Sequence, residues 1–213
     1  YFGHKVFREG QGQLIDSLLT GRDALGIMPT GGGKSMCYQV PALMLPGATL
    51  VVSPLISLMK DQVMALKHAG VPAAYINSSL TPVQLSTVYQ RLRAGAYKLV
   101  YVAPERLEAD GFVSAAQSLD ISLLAVDEAH CISQWGQDFR PSYRKIPDFL
   151  AKLPRRPVIG AFTATATKAV RRDISAQLGL QSPCTVVTGF DRPNLYFEVQ
   201  SMTAAEKPAA LRS

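Results

Sequence analysis

Three consecutive glycines followed by a lysine and a serine, Thr30-Gly31-Gly32-Gly33-Lys34-Ser35, make the stretch of this chain best equipped for chemistry. Glycines let the backbone turn its N–H groups inward with no side chain in the way, and a helix beginning there adds partial positive charge. The apolar run Ala24 to Met28 reads as a buried strand before the turn, and Met36 to Val40 can begin a helix after it. Strand, glycine turn and helix in that order form a phosphate-binding loop. Lys34 supplies a mobile cation for the β- and γ-phosphates of a nucleotide, and Ser35 a hydroxyl for Mg²⁺. The full pattern asks for glycine at position 28, where this chain has Met28. The alternative is a glycine turn that merely joins strand to helix. Alone, the motif points to a nucleotide and leaves open what its energy is used for.

A second constellation complements the first. The apolar run Leu123 to Val126 ends in Asp127-Glu128. Asp127 can hold a metal through its water shell, and Glu128 can orient and deprotonate an attacking water. Two merely solvated acids are the alternative. Farther on, Trp135, Phe139 and Arg140 sit in a loop interrupted by Gly136 and Pro141. Aromatics beside arginine can stack on unpaired bases, each worth about 1–3 kcal/mol regardless of sequence; packing inward to anchor the loop is the alternative. Upstream, Phe7-Arg8-x-Gly10-Gln11 can read an adenine edge or form a plain surface turn.

The elements that must position these residues follow from periodicity. Leu14, Ile15, Leu18 and Leu19 repeat at helical spacing before Gly21. Strands are expected at Ala48–Val52, Ala73–Ile76, Lys98–Val102, Leu123–Val126, Pro157–Phe162, Thr185–Val187 and Leu195–Phe197. Between them, one helix carries Leu55, Leu58, Met59, Val63 and Leu66 on one side and stops at Gly70. Another starts with a capping box at Thr81-Pro82-x-Gln84, and a third is capped by Thr167 with Val170, Ile174 and Leu178 inward. Strands without clean alternation, interleaved with helices, predict an α/β fold with a mostly parallel sheet covered on both faces. The polar clusters then fall at strand carboxyl ends, where such sheets bind ligands.

Composition is compatible with one globular domain: 213 residues, 47% hydrophobic and 18% charged. No apolar run approaches membrane-spanning length and no signal peptide opens the chain, so no membrane partner and a soluble intracellular location are expected. Cys37, Cys131 and Cys184 show no metal-ligand spacing, so no zinc is expected, and Cys131 reads as a small buried filler. Twenty-two basic against 16 acidic residues give +6 and favour a polyanionic partner. Much of the excess lies between Arg140 and Arg172, with nine Lys or Arg and one acid, Asp148; a solvated basic face is the alternative.

Taken together the motifs carry a resemblance. Asp127-Glu128-Ala129-His130 resembles the DEAH form of the helicase Walker B motif, and Thr163-Ala164-Thr165 the motif coupling hydrolysis to movement in superfamily 2 helicases. Cys131 to Tyr143 resembles the aromatic-rich loop of RecQ DNA helicases. Phe7-Arg8-x-Gly10-Gln11 and Phe190-Asp191-Arg192-Pro193-Asn194 match further segments of that family. The resemblance implies a RecA-like P-loop NTPase domain over residues 1–200, the first motor domain, with 201–213 beginning a linker toward a second RecA-like domain. It implies ATP and Mg²⁺, and an ATP-dependent 3′–5′ DNA helicase acting on single-stranded and partly duplex DNA in repair and recombination. Cytoplasm or nucleoid would be its place in a bacterium, the nucleus in a eukaryote. By the same resemblance Arg8 and Gln11 contact adenine, His4 stacks on the base, and Thr30 to Ser35 hold phosphates. Lys34, Asp127, Glu128 and His130 form the catalytic set, with Ser35 and Asp127 toward the metal. Gln134, Trp135, Phe139, Arg140, Thr163 and Thr165 couple nucleotide state to DNA. An RNA helicase of the DEAH type and a binding module using ATP only as a structural ligand are the rival readings.

Overall fold

The computed structural model describes residues 2–3, 6–136, 138–189 and 198. His4, the segment from Phe190 to Asn194, the expected strand at 195–197 and the domain boundary near 200 lie outside the described residues. Within them, seven strands form one parallel sheet: β1 (Ala24–Ile27), β2 (Ala48–Val52), β3 (Ala73–Ile76), β4 (Leu99–Val102), β5 (Ile121–Val126), β6 (Val158–Thr163) and β7 (Cys184–Val187). Their spatial order is β3-β4-β2-β5-β6-β1-β7.

Helices cover both faces because the strands bury both faces. α1 (Gln11–Leu19), α2 (Lys34–Met44) and α3 (Ile56–His68) pack Leu14, Leu18, Cys37, Tyr38, Met59, Val63 and Leu66 on one side, against Val51, Tyr101, Leu123 and Phe162 of the strands. α4 (Pro82–Arg93), α5 (Asp110–Gln117), α6 (Lys145–Lys152) and α7 (Lys168–Gln177) pack Leu92, Phe112, Phe149, Val170 and Ile174 on the other, against Ile27, Val52, Val102 and Val126. Alternate strand residues thus feed two separate cores, which is why the strand sequences show apolar runs rather than alternation.

The helix signals hold locally. Thr81 Oγ1 accepts from Gln84 N and the Gln84 carboxamide accepts from Thr81 N, completing the capping box with Pro82 at the first position. Thr167 caps α7. Leu55 and Leu58 depart from expectation: Met59, Val63 and Leu66 are buried, while Leu55 is 43% and Leu58 36% exposed. Leu55 precedes the helix and Leu58 faces the cleft beside α2 rather than the core. α5 and α6 were not expected. Pro141 opens a 3-10 turn, Pro141–Arg144, that runs into α6, so it starts helical structure where an interruption was expected.

Candidate active site

The order β5-β6-β1 decides where the chemistry lies. These three neighbours carry the acid pair, Thr163 and the glycine loop at their carboxyl ends, so residues far apart in sequence share one rim. A cleft of about 840 Å³ opens there, bordered by Arg8, Gln11, Thr30, Gly31, Gly33, Lys34, Ser35, Asp127 and Glu128.

The glycine loop is shaped by its own backbone. Gly31 and Gly33 have φ of 80° and 83°, and a Cβ on Gly33 would lie 2.4 Å from Gln11 Nε2. A side chain there would meet both backbone strain and a clash. α2 begins at Lys34, so Lys34 and Ser35 occupy its first turn, and the Lys34 ammonium donates to the Met28 carbonyl at 3.2 Å. Gln11 is buried: its oxygen accepts from Arg8 N at 2.8 Å and its nitrogen donates to Gly33 O at 3.0 Å, while the Arg8 guanidinium donates to Gly31 O. The two residues expected at adenine therefore close on the phosphate loop in this conformation, tying base end to phosphate end.

Across the cleft, Asp127 is 7% exposed. Burial first, and then the Glu128 carboxylate, push its carboxyl up to about 6, against the opposing pull of the Glu128 N–H and Lys34. Its backbone is fixed by Asp127 N donating to Val52 O and by the buried Tyr143 hydroxyl donating to Asp127 O at 2.8 Å. Glu128 adopts φ 46°, ψ 47°, a left-handed conformation that non-glycine residues seldom take. Strain of this kind costs about 1–3 kcal/mol and concentrates at functional sites.

Two adjacent carboxylates whose charge is under-compensated, facing a serine hydroxyl across a glycine cradle, offer the hard oxygen donors that suit Mg²⁺. The residues present therefore fit a magnesium nucleotide, with Ser35 and Asp127 nearest in chemistry to the metal.

Of the residues expected to couple nucleotide to DNA, Thr163 and Thr165 at the end of β6 join His130 and the acid pair. His130 Nδ1 lies 2.7 Å from Thr163 Oγ1 and 3.3 Å from Glu128 Oε2. Thr163 Oγ1 is also placed to donate to Thr165 O at 3.2 Å, an arrangement that, with Glu128 Oε2 nearby, favours the tautomer with its proton on Nδ1. Thr163 is fully buried and Thr165 exposed. Gln134 is exposed and makes none of these contacts. Trp135 is 78% exposed, so in this conformation its ring does not pack inward. Phe139 is half-buried under the Arg144 guanidinium, 5.2 Å from the ring centre, and so packs inward in part. Arg140 forks onto Asp138 Oδ2 at 3.1 and 2.9 Å. Cys131 is buried, as expected, and burial pushes its thiol up to about 12.

Sequence reading missed Tyr143, which pins the Asp127 carbonyl, and Asp138, which restrains Arg140. Only proximity in the folded loop exposes either role. The basic stretch also changes character: Arg140, Lys145, Arg155 and Arg156 pair with Asp138, Glu108, Asp120 and Asp23, four of the nine cations.

Residues 8–173 match the family model of the DEAD/DEAH box helicases. The chain belongs to that family. Among curated relatives, the ATP-dependent DNA helicase RecQ of Bacillus subtilis is 54% identical over 93% of this chain and 34% of its own length. That of Pasteurella multocida is 49% identical over 92% and 31%. The ATP-dependent helicase wrn-1 of Caenorhabditis elegans is 44% identical over 94% and 19%. The chain thus spans about a third or less of these relatives. Among solved structures, a hypothetical ATP-dependent RNA helicase from Sulfolobus tokodaii superposes with TM-score 0.66 at 22% identity, over 86% of this chain and 54% of that one. The DUF1998 helicase MrfA gives 0.69 at 18%, over 87% and 31%. At such identities the likeness establishes the fold, that of the RecA-like helicase domains. No helix among the described residues is long and apolar enough to cross a membrane.

Proposed function

We propose that this chain is the ATP-binding motor domain of a RecQ-type DNA helicase, in which hydrolysis at the β1–β5 rim is coupled to single-stranded DNA through the loop carrying Trp135. The observation that carries the reading is the His130–Thr163 bond, which ties the strand end bearing the acid pair to the neighbouring β6 end. Motion of the loop that continues from His130 to Trp135 thereby reaches Glu128. The RecQ names of the curated relatives support DNA rather than RNA as the substrate.

In the mechanism, incoming phosphates replace the Met28 carbonyl as partner of the Lys34 ammonium, and the amides near Gly33 receive the phosphate oxygens. Ser35 and Asp127 would hold Mg²⁺, which when bound would neutralise charge on the β- and γ-phosphates. Glu128 orients the attacking water and takes its proton. His130, held through Nδ1, reads the position of Glu128 and passes it to Thr163. Arg8 and Gln11 exchange their loop contacts for the adenine edge, so base recognition loosens the cradle as it fills. Trp135 stacks on an unpaired base.

The test is hydrolysis by the complete protein with single-stranded DNA or RNA of equal length. DNA is expected to stimulate, RNA to do so weakly, and Glu128→Gln to lower turnover about 10²-fold or more while nucleotide still binds. Equal stimulation by RNA would favour a DEAH-type RNA helicase. Turnover unchanged by Glu128→Gln would instead favour a binding module that holds ATP as a structural ligand.

A further inference from the structure

Cys131, the buried thiol beside the acid motif, has neighbours that its sequence spacing conceals. Arg140 N donates to Cys131 O at 2.9 Å, and Gly136 N donates to Ser133 O at 3.0 Å, closing the loop back on itself. This return brings Asp138 Oδ2 to 3.9 Å from Cys131 Sγ, while His130 Nε2 lies 3.8 Å from the same sulfur on its other side. One ligand atom from each of His130, Cys131 and Asp138 falls within 4.8 Å of the others.

The donor set is soft and mixed, quite unlike the oxygen set at Ser35 and Asp127. With metal–sulfur bonds of about 2.3 Å and metal–nitrogen or –oxygen bonds of about 2.0–2.2 Å, tetrahedral zinc needs donors about 3.3–3.6 Å apart. The observed separations exceed this by a few tenths of an ångström at the sulfur. The imidazole is prepared for the role. In the tautomer that Thr163 Oγ1 and Glu128 Oε2 favour, its proton is on Nδ1, so the Nε2 lone pair faces the thiol. A carboxylate and a hydroxyl behind the far nitrogen are the outer-shell partners that metal-ligating histidines use. Asp138 Oδ2, the oxygen beside the thiol, is held in place by both Arg140 nitrogens, so a cation there would share or take over that contact.

We propose that His130, Cys131 and Asp138 form a three-residue site for a thiophilic divalent cation of the zinc class, whose occupancy clamps the Trp135 loop against the acid motif. The site is separate from the magnesium position and chemically selective against it, since Mg²⁺ demands octahedral oxygen ligation. Occupancy takes the Nε2 side of the histidine that joins Glu128 to Thr163 and fixes Asp138 at the far end of the loop. The cation therefore acts as an inhibitor of coupling. This consequence rests on the motor reading; the binding itself does not.

Cobalt(II) is the probe, because tetrahedral thiolate ligation gives a near-ultraviolet charge-transfer band and intense visible bands that zinc(II) then abolishes. One equivalent is expected to bind the chain with these bands. Cys131→Ala should remove the charge-transfer band, and Asp138→Asn should weaken cobalt affinity about tenfold or more. Cys37→Ser and Cys184→Ser should leave the spectrum unchanged, with circular dichroism confirming the fold of every variant. In the complete protein, micromolar zinc should suppress DNA-stimulated hydrolysis, and Cys131→Ala should relieve that suppression. Absence of a charge-transfer band in the parent chain, or its survival in Cys131→Ala, overturns the site. Normal cobalt spectra with zinc-insensitive hydrolysis overturn the inhibitory role alone.

Discussion

Burial and the Glu128 carboxylate raise Asp127 from 3.8 to about 6, so near neutrality the fold carries an ionised group that it would more readily hold neutral. The sign follows directly. Because the neutral form is favoured in the folded state, stabilisation from this residue is complete below about 3.8 and is lost as pH rises through about 6. Asp127→Asn should therefore melt at a higher temperature than the parent at pH 7.5, by an increment corresponding to at most about 2–3 kcal/mol, and the gain should shrink toward pH 5. In the proposed motor the same substitution removes the charge that would hold Mg²⁺, so metal-dependent nucleotide binding should be lost as stability rises. In the parent, protons and Mg²⁺ compete for Asp127, and the Mg²⁺ concentration for half-maximal binding of a fluorescent ATP analogue should climb as pH falls from 7.5 to 5.5. A pH-independent half-saturation, or identical melting of parent and variant at pH 7.5, would contradict this account. Glu128 departs from relaxed geometry in the same way, through a backbone conformation glycine would adopt without cost. The two carboxylates are held ready at the expense of local stability.

At the scale of elements, β6 is the part to interrogate, since it lies between the strands carrying the loop and the acids. Thr163→Val keeps its volume but deletes the oxygen that accepts from His130 and donates to Thr165 O. Nucleotide affinity should be retained while DNA no longer stimulates hydrolysis, at a cost near 1 kcal/mol in stability; stimulation intact in that variant would remove β6 from the coupling route. At the opposite sheet end Asp23, 2% exposed, accepts from Arg156, Ile159 N and Gln181 N, binding the start of β1 to β6 and to the chain after α7. Asp23→Ala leaves Arg156 without its carboxylate and should destabilise by about 3–5 kcal/mol in denaturant unfolding. A loss below 1 kcal/mol would make the clamp ornamental. None of this was visible in the sequence, where Asp23 is one polar residue before an apolar run. The described strands, the capping box at Thr81 and the two motifs that meet at the cleft were legible because each is a local pattern: an apolar run, a Thr-x-x-Gln spacing, glycines before Lys34. α5 and α6 were not, since Asp110–Gln117 and Lys145–Lys152 are only eight residues each and owe their helicity to packing Phe112 on Phe149. Asp138, Tyr143 and Asp23 escaped for the same reason: their partners are set by loop closure and sheet order, which no spacing along the chain encodes.

For the whole molecule, the count of cations at the cleft bounds what the chain can do by itself. Lys34 and Arg8 are the basic residues lining it among those described. In the proposed motor they would meet a magnesium triphosphate beside two carboxylates, which leaves transition-state charge under-neutralised; an added arginine finger is worth about 10³–10⁵ in rate in such engines. We therefore expect the 213-residue chain to bind a fluorescent ATP analogue weakly, turn ATP over slowly and leave duplex DNA unwound, with the missing cations supplied in the complete protein by a second RecA-like domain. The remote basic stretch does not compensate, because four of its nine cations are already paired with acids. The remaining five can release counterions, which limits that stretch to a slope of about −3.5 in log affinity against log salt for single-stranded DNA. Charge neutralisation of those five should remove most of the measured slope without altering nucleotide affinity. The decisive comparison is turnover with and without single-stranded DNA in the 213-residue chain. Rapid DNA-stimulated hydrolysis there would mean that the β1–β6–β5 rim assembles a complete catalytic charge set unaided, and the cation count would no longer argue for a second domain.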